Sequence, residues 1–130
     1  MSDMKAILIE PDGEITTPYF AGVAAPDHPG GRLWYLRGLI DSAAPNAVEV
    51  PNSSNLVLWT DGRAYVRMRH ANRIGSAVFA HALSLPLQVI CGPLLITGGS
   101  PEEPQALTAA QVIEAFEHLN LERADEAVEG

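Results

Sequence analysis

The sequence is nearly without cysteine. Cys91 is the single thiol, so no disulfide can form within the chain. A lone thiol inside an apolar run suits a reducing compartment. Long hydrophobic runs are also missing. The longest, Leu83 to Ile96, is broken by Pro86, Gln88, Gly92 and Pro93, which excludes an ordinary membrane span. The opening Met1-Ser2-Asp3-Met4-Lys5 has neither the basic start nor the apolar stretch of a secretory signal. These absences together point to the cytoplasm.

Metal-ligand spacing is missing too. His28, His70, His81 and His118 are far apart, and one cysteine cannot complete a structural zinc site. No metal and no cofactor are expected. The glycine pairs Gly30-Gly31 and Gly98-Gly99 fit neither the dinucleotide fingerprint nor the phosphate-binding loop, and read as plain loops. There are no internal repeats and no low-complexity tract.

What is present is ordinary globular composition over 130 residues, 47% apolar and 18% charged. That is one domain, expected over 1–120, followed by an acidic tail at 121–130 that is free to fray. The net charge of −8 is unevenly spread. Residues 101–130 hold eight acids and one base, while residues 1–100 hold eight acids and seven bases. Four of those bases lie together as Arg63, Arg67, Arg69 and Arg73.

The local patterns predict an α+β fold. Met4–Glu10 and Glu14–Phe20 flank Pro11-Asp12-Gly13 and read as a hairpin, with Pro18 marking an edge. Residues 21–31 read as a loop. Leu33, Leu36, Leu39 and Ile40 have helical spacing over 32–42, and Ala47–Val50 suggests a short strand. Residues 55–69 surround Asp61-Gly62 and predict a second hairpin. Its second strand would bury Ala64, Val66 and Met68 and present Tyr65, Arg67 and Arg69 on the other face. Asn72 reads as the N-cap of a helix carrying Ile74, Ala77, Val78 and His81. Two β-rich pieces lie within Leu85–Thr97. Thr108-x-x-Gln111 is a capping box for a helix over 109–119, with Leu107 and Val112 as a staple. The order predicts a mixed, largely antiparallel sheet of five to six strands, with three helices covering one face.

The opening M-K-A-I-L-I-E-P-D-G resembles a family of short, uncharacterised domains of bacteriophages and mobile elements, often of actinobacteria. The likeness continues in Asp61-Gly62 through Asn72 and Ala77, in Gly92 through Gly98, and in Leu107-Thr108-Ala109-Ala110-Gln111. Pro93 departs from the family, where an acidic residue is expected. The resemblance implies a phage or plasmid accessory gene and brings no catalytic residues with it.

Candidate chemistry is sparse. Cys91 with His81 could be a nucleophile and its base, but free cysteine is among the most buried residue types. Glu10 and Asp12 could be a carboxylate pair, but a strand end and a turn explain both. The best candidate is the face formed by Arg63, Tyr65, Arg67, Arg69 and Arg73. Arginine beside an aromatic suits phosphate, carboxylate or nucleobase. The competing reading is a surface strand whose arginines pair with acids elsewhere. An acidic pI, about 4.8, argues against nucleic acid as the partner. Trp34, Trp59, Tyr65 and Phe79 fit either core or interface, so a dimer through a strand edge stays open. The expectation is a non-enzymatic protein that binds a host protein. The alternative is a binder of a small anionic ligand or nucleotide on the arginine face.

Overall fold

The structure, a computed structural model, describes residues 5–18, 20, 31–42, 44–51, 53–64 and 67–118. The predicted acidic tail and Tyr65 lie outside the described residues. Among the described residues, six strands and three helices follow one another as β1 (Ile7–Ile9), β2 (Ile15–Thr16), α1 (Gly31–Ile40), β3 (Pro45–Glu49), β4 (Val57–Asp61), α2 (Arg73–Leu83), β5 (Leu94–Gly99), β6 (Pro104–Gln105) and α3 (Ala109–His118). The sheet order is β2-β1-β5-β4-β3, with β6 also paired to β5, and every pairing is antiparallel. No helix among the described residues is long and apolar enough to cross a membrane.

The three central strands are continuous apolar runs, I-L-I, V-L-W and L-L-I. Such runs fit a sheet buried on both sides, because successive side chains point to opposite faces. Ile7, Ile9, Leu58, Leu94 and Ile96 meet Ile74, Val78 and Ala82 of α2 and Val112, Ala115 and Phe116 of α3. Leu8, Val57, Trp59 and Leu95 point the other way, onto Leu36 and Ile40 of α1 and onto Phe20. The expectation of helices on one face is therefore corrected: α1 covers one face while α2 and α3 cover the other. Thr97 is tolerated inside because its Oγ1 accepts from Trp59 Nε1 at 2.8 Å.

The first hairpin forms as expected. Leu8 pairs with Thr16 and Ile9 with Ile15, and the Gly13 amide donates to Glu10 O at 2.9 Å. Asn72 does cap α2, its Oδ1 accepting from the Gly75 amide at 2.8 Å. It also donates through Nδ2 to Ile9 O at 2.8 Å and to Gly92 O at 2.9 Å. One fully buried amide thus ties the end of β1, the start of α2 and the approach to β5. The capping box of α3 is complete, with Gln111 N donating to Thr108 Oγ1 and Thr108 N to Gln111 Oε1.

The second predicted hairpin does not form. Strand β4 is already paired on both sides, with β3 from Pro45↔Asp61 to Glu49↔Val57 and with β5 from Val57↔Thr97 to Trp59↔Leu95. No free edge remains for residues 63–69. The chain coils instead: Ala64 N donates to Asp61 O, Arg67 N to Arg63 O and Arg69 N to Ala64 O. Met68, expected in the core, sits at φ 56° and is 86% exposed. Gly62 serves a close approach here, since a Cβ would stand 2.4 Å from Ala44 O. Of the two β-rich pieces in Leu85–Thr97, only the second is a strand.

Candidate functional site

The arginine segment is folded back on the protein. The Asp61 side chain is fully buried at the end of β4. Its Oδ1 accepts from Ser42 Oγ at 2.8 Å and from the Arg63 amide at 2.9 Å. Its Oδ2 accepts from Arg67 Nη1 at 3.0 Å and from Arg69 Nη1 at 2.9 Å. Burial would raise the Asp61 pKa, but hydrogen bonds from Arg69, the Arg63 amide and Ser42, with the charge of Arg67, outweigh it and lower it from 3.8 to about 2.

The same two guanidinium groups cap α1. Arg69 Nη1 reaches Ile40 O at 3.0 Å and Asp41 O at 3.1 Å, and Arg67 Nη1 reaches Asp41 O at 2.5 Å. Arg67 Nη2 adds an ion pair with Asp41 Oδ2 at 3.2 Å. These carbonyls end the helix, where cations are favoured. Arg67 and Arg69 are thus brought together, but by α1 and β4 rather than on a strand face. Arg63 is exposed in the turn, and Arg73 is exposed at the first position of α2.

The other sequence candidates separate. Cys91 bridges to Ala71 beside the start of α2, whereas His81 lies in its last turn, about 12 Å along the helix. Gly31 opens α1. Gly98 and Gly99 pair with β6. Asp12 forms its turn, with Oδ1 accepting from the Glu14 amide at 2.9 Å. Glu10, Asp12 and His70 line a shallow depression of about 520 Å³. Burial pushes the Glu10 pKa up, helped by the Asp12 and Glu14 charges and opposed by Arg69. Among the described residues no group of three His, Cys, Asp or Glu side chains could hold a metal ion.

A different surface stands out, and it was not singled out from the sequence. Helix α2 ends at Ser84, which adopts φ 54°, and the Leu85 amide returns to Ala80 O at 2.9 Å. This left-handed reversal throws the next residues outward. Leu85 is 44% exposed, Leu87 74% and Val89 58%. The chain rejoins the body where the Ile90 amide donates to Ser76 Oγ at 2.8 Å and Ile90 O accepts from the Asn72 amide at 2.7 Å. Between these anchors, the backbones of Leu87 and Gln88 have no hydrogen-bond partner among the described residues. The signal in the sequence is a gap in charge. Residues 74–101 contain no Asp, Glu, Lys or Arg. An exposed apolar segment without a guarding charge is what proteins usually avoid.

Comparison with known proteins finds no matching family model, no similar curated protein and no similar solved structure.

Proposed function

We propose that this chain is a non-enzymatic accessory protein that binds a host protein through the ridge Leu85–Val89. The carrying observation is the exposure of Leu85, Leu87 and Val89 on an uncharged segment held at both ends. Burying one such leucine on a partner is worth about 1.5–3 kcal/mol. The open amide and carbonyl groups of Leu87 and Gln88 can pair with a partner's backbone, as in strand addition. The resemblance of M-K-A-I-L-I-E-P-D-G to phage and mobile-element domains supplies the setting, the cytoplasm of a bacterial host. The alternative, an anionic ligand on the arginine face, has the engagement of Arg67 and Arg69 by Asp41 and Asp61 against it.

The test is capture from nuclease-treated host lysate by the tagged full chain, with a thermal-shift screen of nucleotides and small anions alongside. One enriched protein, and no anion that raises the melting temperature, is expected. An anion that stabilises the chain, with no protein captured, would overturn the reading.

A further inference from the structure

Among the described residues the sheet ends at β2 on one side and at β3 on the other. Strand β2 has two residues, whereas β3 has five. The Val50 amide donates to Leu56 O and the Gly62 amide to Ala44 O, each at 2.9 Å, on the register that pairs Pro45 with Asp61 and Glu49 with Val57. Hydrogen-bonded and non-hydrogen-bonded pairs alternate along an antiparallel ladder. The backbone groups of Asn46 and Val48 therefore point at β4, and those of Pro45, Ala47 and Glu49 point away from the sheet. These outward groups have no hydrogen-bond partner among the described residues.

The two ends of this open edge are guarded. Proline lacks an amide hydrogen, and Pro45 stands where none is missed. Glu49 puts an exposed charge at the other end. Both are devices that hold back indiscriminate edge pairing. Between them the open row reads Pro45 O, Ala47 N–H, Ala47 O, Glu49 N–H and Glu49 O.

That row is self-complementary. In an antiparallel copy related by a twofold axis through Ala47, each Ala47 amide donates to the second copy's Ala47 O. Each Glu49 amide likewise donates to the second copy's Pro45 O. Only Glu49 O faces a proline nitrogen, and it lies at the rim, open to water. The charges also stay apart. Each Glu49 stands opposite a proline, about 14 Å along the strand from the other Glu49. An axis through Val48 would instead set the two Glu49 side chains diagonally on one face, about 7–8 Å apart, where like charges repel. Half-buried Ala47 and Val48 gain cover from the neighbouring strand. An axis normal to the sheet keeps α1 of both copies on the same face.

We propose that β3 pairs antiparallel with β3 of a second copy of this chain, about an axis through Ala47, so that one sheet runs through a closed dimer. The contact is isologous and uses the long edge of each copy. What remains at the ends is β2, too short to carry the pairing further. The inference goes beyond the proposed function and does not rest on it, since the Leu85–Val89 ridge is not part of this edge.

Sedimentation equilibrium of the full chain over a concentration series reads the mass. At about 100 μM it should be twice 13.9 kDa and should fall toward 13.9 kDa on dilution. Ala47→Pro removes the central donor and no bond within the chain, because that amide points outward. It should weaken association by about tenfold or more while melting like wild type in dilute solution. Leu87→Asp should dimerise as wild type does. Hydrogen exchange on the wild type keeps the test decisive even if the proline variant fails to fold. The Ala47 and Glu49 amides should slow about tenfold between dilute and concentrated protein, while the Asn46 and Val48 amides, held by β4, should not change. A monomer at about 100 μM would overturn the proposal. So would a dimer that survives Ala47→Pro or is lost in Leu87→Asp. Ala47 and Glu49 amides equally slow at every concentration would overturn it too, because another segment of the same chain would then cover the edge.

Discussion

Asp61 and Arg69 meet at 2.9 Å, and the carboxylate of that pair is wholly buried. The pair joins the end of β4 to the coil after it and, through Ile40 O and Asp41 O, to the end of α1. A guanidinium so placed satisfies a buried charge and closes a helix at once. Removing the acid leaves two arginines without their shared carboxylate and the Ser42 hydroxyl without the acceptor for its proton. Asp61→Ala should cost about 2–3 kcal/mol. The melting temperature should fall by on the order of 10 °C. Scanning calorimetry checks it.

The same acid sets an acid limb. The folded-state pKa of Asp61 is about 2, against 3.8 ordinarily. A depressed carboxylate contributes stability that is fully present above 3.8 and is lost as the pH falls toward 2. Wild type should therefore lose stability across that window, and Asp61→Asn should show a shallower loss. Glu10 acts in the opposite sense. Its pKa is raised, so its charged form weakens the fold as the pH rises through that value. Glu10→Gln should be more stable than wild type at neutral pH and should match it in acid. Urea melts over a pH series read both.

Asn72 is the second keystone. Its side chain makes three hydrogen bonds in a site with no solvent access. Asn72→Ala removes the cap and strands Ile9 O and Gly92 O, for a loss of about 3 kcal/mol. Gly75→Ala should also destabilise, because its Cβ would stand 2.7 Å from Asn72 Cγ. Chemical denaturation distinguishes both from a neutral surface change.

Ser84 holds a left-handed conformation that glycine adopts without strain. Ser84→Gly should gain about 0.5–1 kcal/mol in the same assay. A loss would mean that the hydroxyl matters more than the backbone.

Much of the fold was legible in the sequence, because caps and apolar runs are local signals. Asn72, Thr108 and Gln111 mark helix starts through bonds made within three residues. What failed was non-local. Asp61-Gly62 has the letters of a tight hairpin, yet neither residue has the positive φ such a turn needs. The glycine is there for Ala44 O and the aspartate for the arginines, and both partners are distant in sequence. The short β6 has only two residues, too few for periodicity to register. The arginine face was expected from strand parity, and without the strand the parity has no meaning. The ridge could have been found from the absence of charge in residues 74–101, which hydrophobic patterning alone does not weigh.

On the function proposed above, the arginines hold the fold together while the Leu85–Val89 ridge meets the partner. The most direct measurement compares Arg67→Ala with Arg69→Ala against Leu87→Asp, reading melting temperature and host-protein capture on each. The ridge variant should melt like wild type, as surface changes usually do to within ~0.5 kcal/mol, and should lose capture. The arginine variant should melt at lower temperature and keep capture below its transition. Capture undiminished by Leu87→Asp, or abolished in a still-folded arginine variant, would overturn the proposed role of the ridge.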